Sequence, residues 1–383
     1  MTTLKDTQLS ALEQAALAAL PAADELAGRF PVVGNIPLAD EAHYAQVMES
    51  LRFGTFFGDH MARAVWKEGE GWDNYELTGY APLSMDPSSA VFHYGQAVFE
   101  GLKAYRHADG SVWTFRPQFN AARFNASARR MAMPELPVED FIGSIVDMVR
   151  ADKRWVPSGE GTSLYIRPFA IATERSLGAH PAHEITYMCI GSPSGPYFTN
   201  GFAPVSIWVT RDYHRAGPGG TGEAKCSGNY AASYMPQKLA AERGHEQVFY
   251  VDVSGTYIEE LGAMNAMAVM KDGTIRTPRL TGSILEGGTR GAIIQLMRSL
   301  GRNVVEEDIA LDELIDGVQS GDVTEIFGCG TAAVVTPIGR LEGEGFDVSV
   351  PSGPVAKEIF DRLTAIQYGH AEDKFGWMYK LSD

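Results

Sequence analysis

Residues 191–204 read GSPSGPYFTNGFAP, a run so dense in glycine, proline and serine that it is a poor host for helix or strand. It separates TYMCI (186–190) from VSIWV (205–209), two segments rich in β-branched and aromatic residues that read as strands. The chain is therefore expected to fold as two units: a smaller N-terminal domain at 1–192, a linker at 193–204 and a larger C-terminal domain at 205–383. At 383 residues it is long enough to bury two cores.

Both halves mix periodicities. In VEDFIGSIVDMVR (138–150), Val138, Phe141, Ile142, Ile145 and Val149 fall on one helical stripe. GAIIQLMRSLG and PVAKEIFDRLTAIQY also read as helices, and the N-terminus carries a short Ala/Leu-rich helical pattern. SLYIRPFAIA (163–172), QVFYVDV, MNAMAVM, TEIFG and TAAVV read as strands. The fold class is α+β.

Composition removes several functions. A net charge of −16 leaves no basic face for a nucleic-acid backbone. No run of about 18 apolar residues exists, so no membrane span is assigned. The N-terminal stretch has no basic region ahead of its apolar residues, and a signal peptide is not expected. Cys189, Cys226 and Cys329 are scattered, without zinc or disulfide spacing, which fits a reducing, cytoplasmic setting. His180 and His183 in HPAH lack a third ligand, so no metal is expected. A GxSxG nucleophile elbow is absent. GPGGTG (217–222) matches the dinucleotide fingerprint GxGxxG, but TRDYHRA separates it from the preceding strand. A nicotinamide-dependent oxidoreductase is the alternative it leaves.

GGTGEAKCSGNYAAS (219–233) places Lys225 among small residues. A partly desolvated amine there can form a Schiff base with an aldehyde, and Ala224, Ser227 and Gly228 would let a planar ring approach the backbone. On this stretch alone, an incidental lysine on a surface loop is the favoured reading. Four other sites bear on the choice. Arg123 in FRPQFNAARFNAS could hold a phosphate dianion. Gly288 and Thr289 precede a predicted helix, where free amides and the helix dipole attract anions. Glu260 could face a protonated ring nitrogen, and Thr331 and Ala332 in GCGTAAVV offer further amides. Each also has a plain reading as surface charge, helix cap or strand start. Together they supply what pyridoxal phosphate requires: an imine partner, a phosphate cradle and an acid for the pyridine nitrogen.

In this order, FGTFFGDHM, FHYGQAVFEGLKAYR, GTSLYIRPF, EAKCSGNYAAS, FGCGTAAVVTP and IQYGHAEDKFGWM resemble the class IV aminotransferases of fold type IV, most closely the branched-chain amino-acid aminotransferases. The resemblance implies a small α/β domain, a larger domain with a pseudo-barrel, and pyridoxal 5'-phosphate between them. It implies that Lys225 binds the cofactor covalently and serves as the catalytic base, with Tyr230 at the cofactor's phenolate oxygen and Glu260 at its ring nitrogen. Arg123, Gly288, Thr289 and Thr331 would hold the phosphate. Phe53, Phe99, Tyr165 and Tyr197 would wall the substrate pocket, Tyr94, Thr331 and Ala332 would receive the α-carboxylate, and Arg167 the second carboxylate of glutamate or 2-oxoglutarate. The implied reaction passes the amino group of leucine, isoleucine or valine to 2-oxoglutarate. Its partners are small amino and 2-oxo acids. A homodimer with shared sites is implied, Tyr94, Leu177 and Ala179 serving the neighbouring subunit. D-amino-acid or amine transaminases of the same fold are the nearest alternative.

Some residues depart from the family pattern. LEGGTRGA carries Glu286 and Gly288 where a proline and a branched residue are usual. An extra carboxylate beside the phosphate and a looser turn are expected, with cofactor affinity the property affected. Ala263 replaces a threonine found in some relatives, and Ala333 and Thr336 stand where a redox CxxC would be.

Overall fold

The computed structural model describes residues 9–196 and 202–383. The polypeptide builds two sheets that divide at the glycine- and proline-rich stretch. The first has eight strands, ordered Met378–Ser382, Val112–Phe115, Leu102–Arg106, Ser163–Ala172, Glu184–Ser194, His60–Lys67 and Gly71–Gly79, with Ala97–Phe99 also paired to Ser163–Ala172. All its pairings are antiparallel. Helices Pro117–Arg130 and Val138–Ala151 belong to the same unit. Phe141, Ile142, Ile145 and Val149 are fully buried, as the helical stripe requires, whereas Val138 at the first turn is 38% exposed. Fully burying such side chains stabilises the unit by about 1.5–3 kcal/mol each.

The second sheet has nine strands. Ile258–Leu261, Gln247–Val251, Val205–Thr210, Val334–Gly343, Val323–Gly330 and Met264–Met270 follow one another, and the last pairs back onto the first, closing a barrel. Ile275–Pro278 and Val304–Glu307 extend it as a parallel pair. Parallel neighbours need a long crossover. Helix Gly288–Ser299 lies within that connection. Its start follows the strand Ile275–Pro278, and Leu285, just ahead of it, donates its N–H to Glu260.

Two details differ from the sequence reading. TAAVV is not a strand throughout: 331–333 turn, and the strand begins at Val334. Val334 has φ +62°, a strained conformation for a β-branched residue, and it ends this turn beside the predicted carboxylate-binding amides. Strand Met378–Ser382 pairs with Val112–Phe115, so the chain end is joined to the first sheet.

Lys225 comes after Val205–Thr210 of the second sheet in sequence, yet its flanking residues pack on the first. Its neighbours Ala224 and Cys226 are 1% exposed and pack into the core of the first sheet.

Candidate active site

Lys225 is placed by its backbone. Its N–H donates to Ser127 Oγ at 2.9 Å, and its carbonyl accepts from Phe99 N at 3.0 Å. Cys226 bridges to Val98, so the lysine segment runs along the short strand Ala97–Phe99. Helix Ser227–Ala231 then turns Tyr230 back, and Lys225 Nζ donates to Tyr230 Oη at 2.9 Å. Asn229, buried between them in sequence, fixes this geometry: its amide donates to the carbonyls of Thr221 (2.7 Å) and Ala224 (2.8 Å) and accepts from the Thr221 hydroxyl. These hydrogen bonds hold the loop that carries Lys225 at three points.

The aromatic wall forms around that amine. Lys225 Nζ lies 5.0 Å from the Phe99 ring centroid, and the Arg167 guanidinium 4.8 Å from the same ring. Arg167 donates to Tyr165 Oη at 3.3 Å, and Tyr165 meets Phe53 edge to face at 4.8 Å. Phe53, Tyr165, Arg167, Phe99, Lys225 and Tyr230 thus form one continuous cluster. Arg167 Nε has no hydrogen-bond partner among the described residues. The Arg167 side chain is only half-buried, so its cation stands beside the apolar wall where a carboxylate could pair with it.

A small cavity is lined by Arg123, Gly288, Thr289 and Thr331, together with Arg116, Phe119 and Asn120. This brings together all four residues expected at the phosphate. Gly288 and Thr289 open helix Gly288–Ser299, whose first-turn N–H groups have no partner within the helix. Arg123 donates through Nε (2.7 Å) and Nη2 (2.9 Å) to Glu100, and through Nη1 to the Glu286 carbonyl at 2.9 Å. Three of its five donors are used, leaving two for a ligand. Burial would raise the Glu100 carboxyl, but the Arg123 guanidinium outweighs it and holds that group below the usual range. Burial likewise opposes the Arg123 charge, and Glu100 more than restores it.

Glu260 is 2% exposed, with Arg215 Nε 3.1 Å from its carboxylate and the Leu285 N–H donating to it. Burial is the largest influence and raises its proton affinity, with Arg215, Leu285 and Lys225 opposing. A carboxyl so raised, yet held by a cation, is matched to share a proton with a pyridine nitrogen.

Ala332 is reached from behind: Lys103 Nζ donates to its carbonyl at 2.7 Å. Tyr94 lies apart from the cluster. Its hydroxyl donates to the Leu177 carbonyl, and the two residues are 46% and 66% exposed. Tyr197 lies outside the described residues.

The Glu286 carboxylate accepts from Ser10 and remains within electrostatic reach of Arg123, as the expected extra carboxylate would, while its carbonyl serves Arg123. The turn differs from the expected looseness, because a Cβ on Gly288 would stand 3.0 Å from the Phe119 ring. Phe119 fills the space a branched residue would take.

GPGGTG forms a loop that does not open a helix. Gly222 packs on the Ser283 backbone, and Gly219 and Gly220 give their carbonyls to Arg130. The dinucleotide reading has no strand-turn-helix to support it.

Glu100, Arg215, Asn229 and Lys103 escaped the sequence reading. Glu100 left one signal, a lone charge in the apolar run AVFEGL. Arg215 left none, since its partner is 45 positions away.

A profile of the family described as Amino-transferase class IV matches residues 97–341. The chain is 48% identical over 351 residues to the probable branched-chain-amino-acid aminotransferase of Streptomyces coelicolor, covering 90% of this chain and 96% of that protein. It is 45% identical over 361 residues to the branched-chain-amino-acid aminotransferase of Mycolicibacterium smegmatis, covering 92% and 98%. Among solved structures, the Escherichia coli branched-chain amino acid aminotransferase is similar, with TM-score 0.70, 28% identity, and coverage of 84% of this chain and 100% of that one. The T.th. branched-chain amino acid aminotransferase with pyridoxamine 5'-phosphate has TM-score 0.69 at 26% identity, covering 84% and 99%.

Proposed function

The chain belongs to the class IV aminotransferases, and from that premise we propose that it transfers the amino group of leucine, isoleucine or valine to 2-oxoglutarate, using pyridoxal 5'-phosphate. The observation that carries this is the Lys225 amine on the Tyr230 hydroxyl, in one cluster with Phe99 and Arg167 and electrostatically coupled to the buried Glu260. The S. coelicolor and M. smegmatis proteins bear branched-chain names, and the T.th. structure holds the aminated cofactor.

The residues present fit the cofactor. Arg123, Gly288, Thr289 and Thr331 would hold its phosphate, Tyr230 its phenolate oxygen and Glu260 its ring nitrogen. When bound, pyridoxal phosphate supplies an aldehyde and a ring that delocalises the electron pair left on the substrate Cα. Lys225 would take the Cα proton and deliver it to the carbon on the far side of the substrate's nitrogen. Positioning this amine beside Cα replaces a bimolecular encounter, an advantage of up to about 7–11 kcal/mol. Tyr230 Oη, hydrogen-bonded to the amine, would orient it between these two positions.

Phe53, Phe99 and Tyr165 would exclude water from an aliphatic side chain, and Arg167 would take the distal carboxylate of the second substrate. Ranking among the three aliphatic substrates rests on single methylenes, each worth about 1–3 kcal/mol. Tyr94 and Leu177, exposed and bonded to each other, are the pair that a second copy of the chain would receive in a homodimer with shared sites. Three free, buried cysteines suit a reducing cytoplasm. The domain division at 193–204, with the cofactor between the two units, belongs to the same reading.

Rate measurements with L-leucine, D-alanine and an aryl amine, each against 2-oxoglutarate, test this function. Turnover of L-leucine is expected; turnover of D-alanine alone overturns the substrate assignment.

A further inference from the structure

We propose that the N-terminal helix Ala11–Ala15, with its cap Ser10, is a working part of the phosphate end of this site, holding the turn at 286–288 from behind. This rests on the reading that the cavity at Arg123 receives the cofactor phosphate.

The contacts are specific. Ser10 Oγ donates to the Glu286 carboxylate and caps its own helix by accepting from Glu13 N at 3.0 Å. Glu13, 7% exposed, pairs with Arg116, 3% exposed, and accepts from the Gln295 amide on helix Gly288–Ser299. Arg116 in turn donates to the Gly288 carbonyl at 2.7 Å. A path of hydrogen bonds therefore runs from Glu13 through Arg116 to the residue that opens the anion-binding helix.

Around it the side chains pack closely, beside the cavity that Arg116 and Phe119 help to line. Arg116 and Arg123 lie on the same Phe119 ring, at 5.0 and 5.3 Å from its centroid. A Cβ at Gly291 would run into the Glu13 carboxylate. Arg116 itself has φ +51°, a conformation uncommon for arginine, which Glu13 and the Trp377 carbonyl hold in place.

These facts explain the departures at Glu286 and Gly288. Glu286 is the acceptor for Ser10, and Gly288 makes room for Phe119 between the two guanidinium groups. With the carbonyls of 286 and 288 engaged by Arg123 and Arg116, the turn is fixed with the Gly288 and Thr289 amides free for the cavity they line. Glu13 also neutralises Arg116 once both are out of water, where an unpaired charge is costly. Ser10 and Glu13 are positioning residues: they act on the phosphate through Arg116 and the turn.

Titrating apoprotein with pyridoxal phosphate and, separately, with pyridoxal, which lacks the phosphate, tests this. Glu13→Gln is expected to weaken pyridoxal phosphate binding about tenfold while leaving pyridoxal binding unchanged. Ser10→Ala, which removes one hydroxyl and serves if Glu13→Gln fails to fold, is expected to weaken it about threefold. Unchanged affinity for pyridoxal phosphate in Ser10→Ala overturns the inference, and so does equal weakening for both ligands, the signature of general damage. An unaltered chain that takes up no pyridoxal phosphate overturns the proposed function itself, a separate result.

Discussion

A lysine becomes a catalytic amine through what surrounds it, and at Lys225 the surroundings are a hydroxyl at 2.9 Å and an aromatic face at 5.0 Å. Lys225→Ala is expected to lower transamination by at least about 10²–10⁴-fold, the range a positioned base supplies; single-turnover kinetics with L-leucine check it. Glu100→Gln leaves Arg123 buried with half its partner, and a loss of about 3–5 kcal/mol is expected in urea unfolding. Lys103 gives a pH signature. Burial pushes its ammonium down to about 8, so above that value the unfolded chain binds the proton and the folded chain does not. Stability should therefore rise with pH from about 8 until unfolded lysine also titrates. Tyr368, in the same cavity of about 350 Å³, is pushed up to about 12, and Tyr105 is also raised, so neither ionises early in that window. Urea midpoints at roughly pH 7 and pH 10 should show that dependence in the parent and not in Lys103→Met. Residue chemistry was legible where the residue type itself is unusual for its setting, as with Lys225 among glycines. It was hidden where the partner is remote: nothing near Arg215 in sequence points to Glu260, and nothing near Glu13 points to Arg116.

Elements were read best where periodicity and burial coincide. Strand Ser163–Ala172 and helix Pro354–Gln367 match their expected segments because their apolar spacing is dictated by one neighbouring surface. TAAVV misled because alanine and valine satisfy strand propensity while the two alanines actually form a turn ended by the left-handed Val334. At the turn before helix Gly288–Ser299 the loss of a proline read as looseness, yet Phe119 and two arginines supply the rigidity from other elements. Gly288→Val should press on the Phe119 ring and cost about 1–3 kcal/mol, with weaker pyridoxal phosphate retention on dialysis. A variant as stable and as retentive as the parent would mean that the ring can move aside.

At the scale of the molecule, the linker composition pointed to two units; the strands up to Ser194 fall in one sheet and those from Val205 to Ser349 in the other, while Met378–Ser382 rejoins the first. The return of Met378–Ser382 to the first sheet was not legible, since strand pairing between positions about 265 residues apart has no local signal. The proposed homodimer with shared sites predicts complementation. Lys225→Ala and Tyr94→Phe chains, co-expressed and purified as one dimer, should contain one site free of both changes and recover activity that the Lys225→Ala dimer lacks. Sedimentation should report a dimer; an active monomer would remove the role given to Tyr94. The most direct test of the whole is an absorbance scan of the purified protein. A band near ~420 nm from the protonated lysine imine should fade on adding L-leucine, return on adding 2-oxoglutarate, and be missing in Lys225→Ala. A band that ignores L-leucine, or one that persists in Lys225→Ala, overturns the assignment of both the lysine and the reaction.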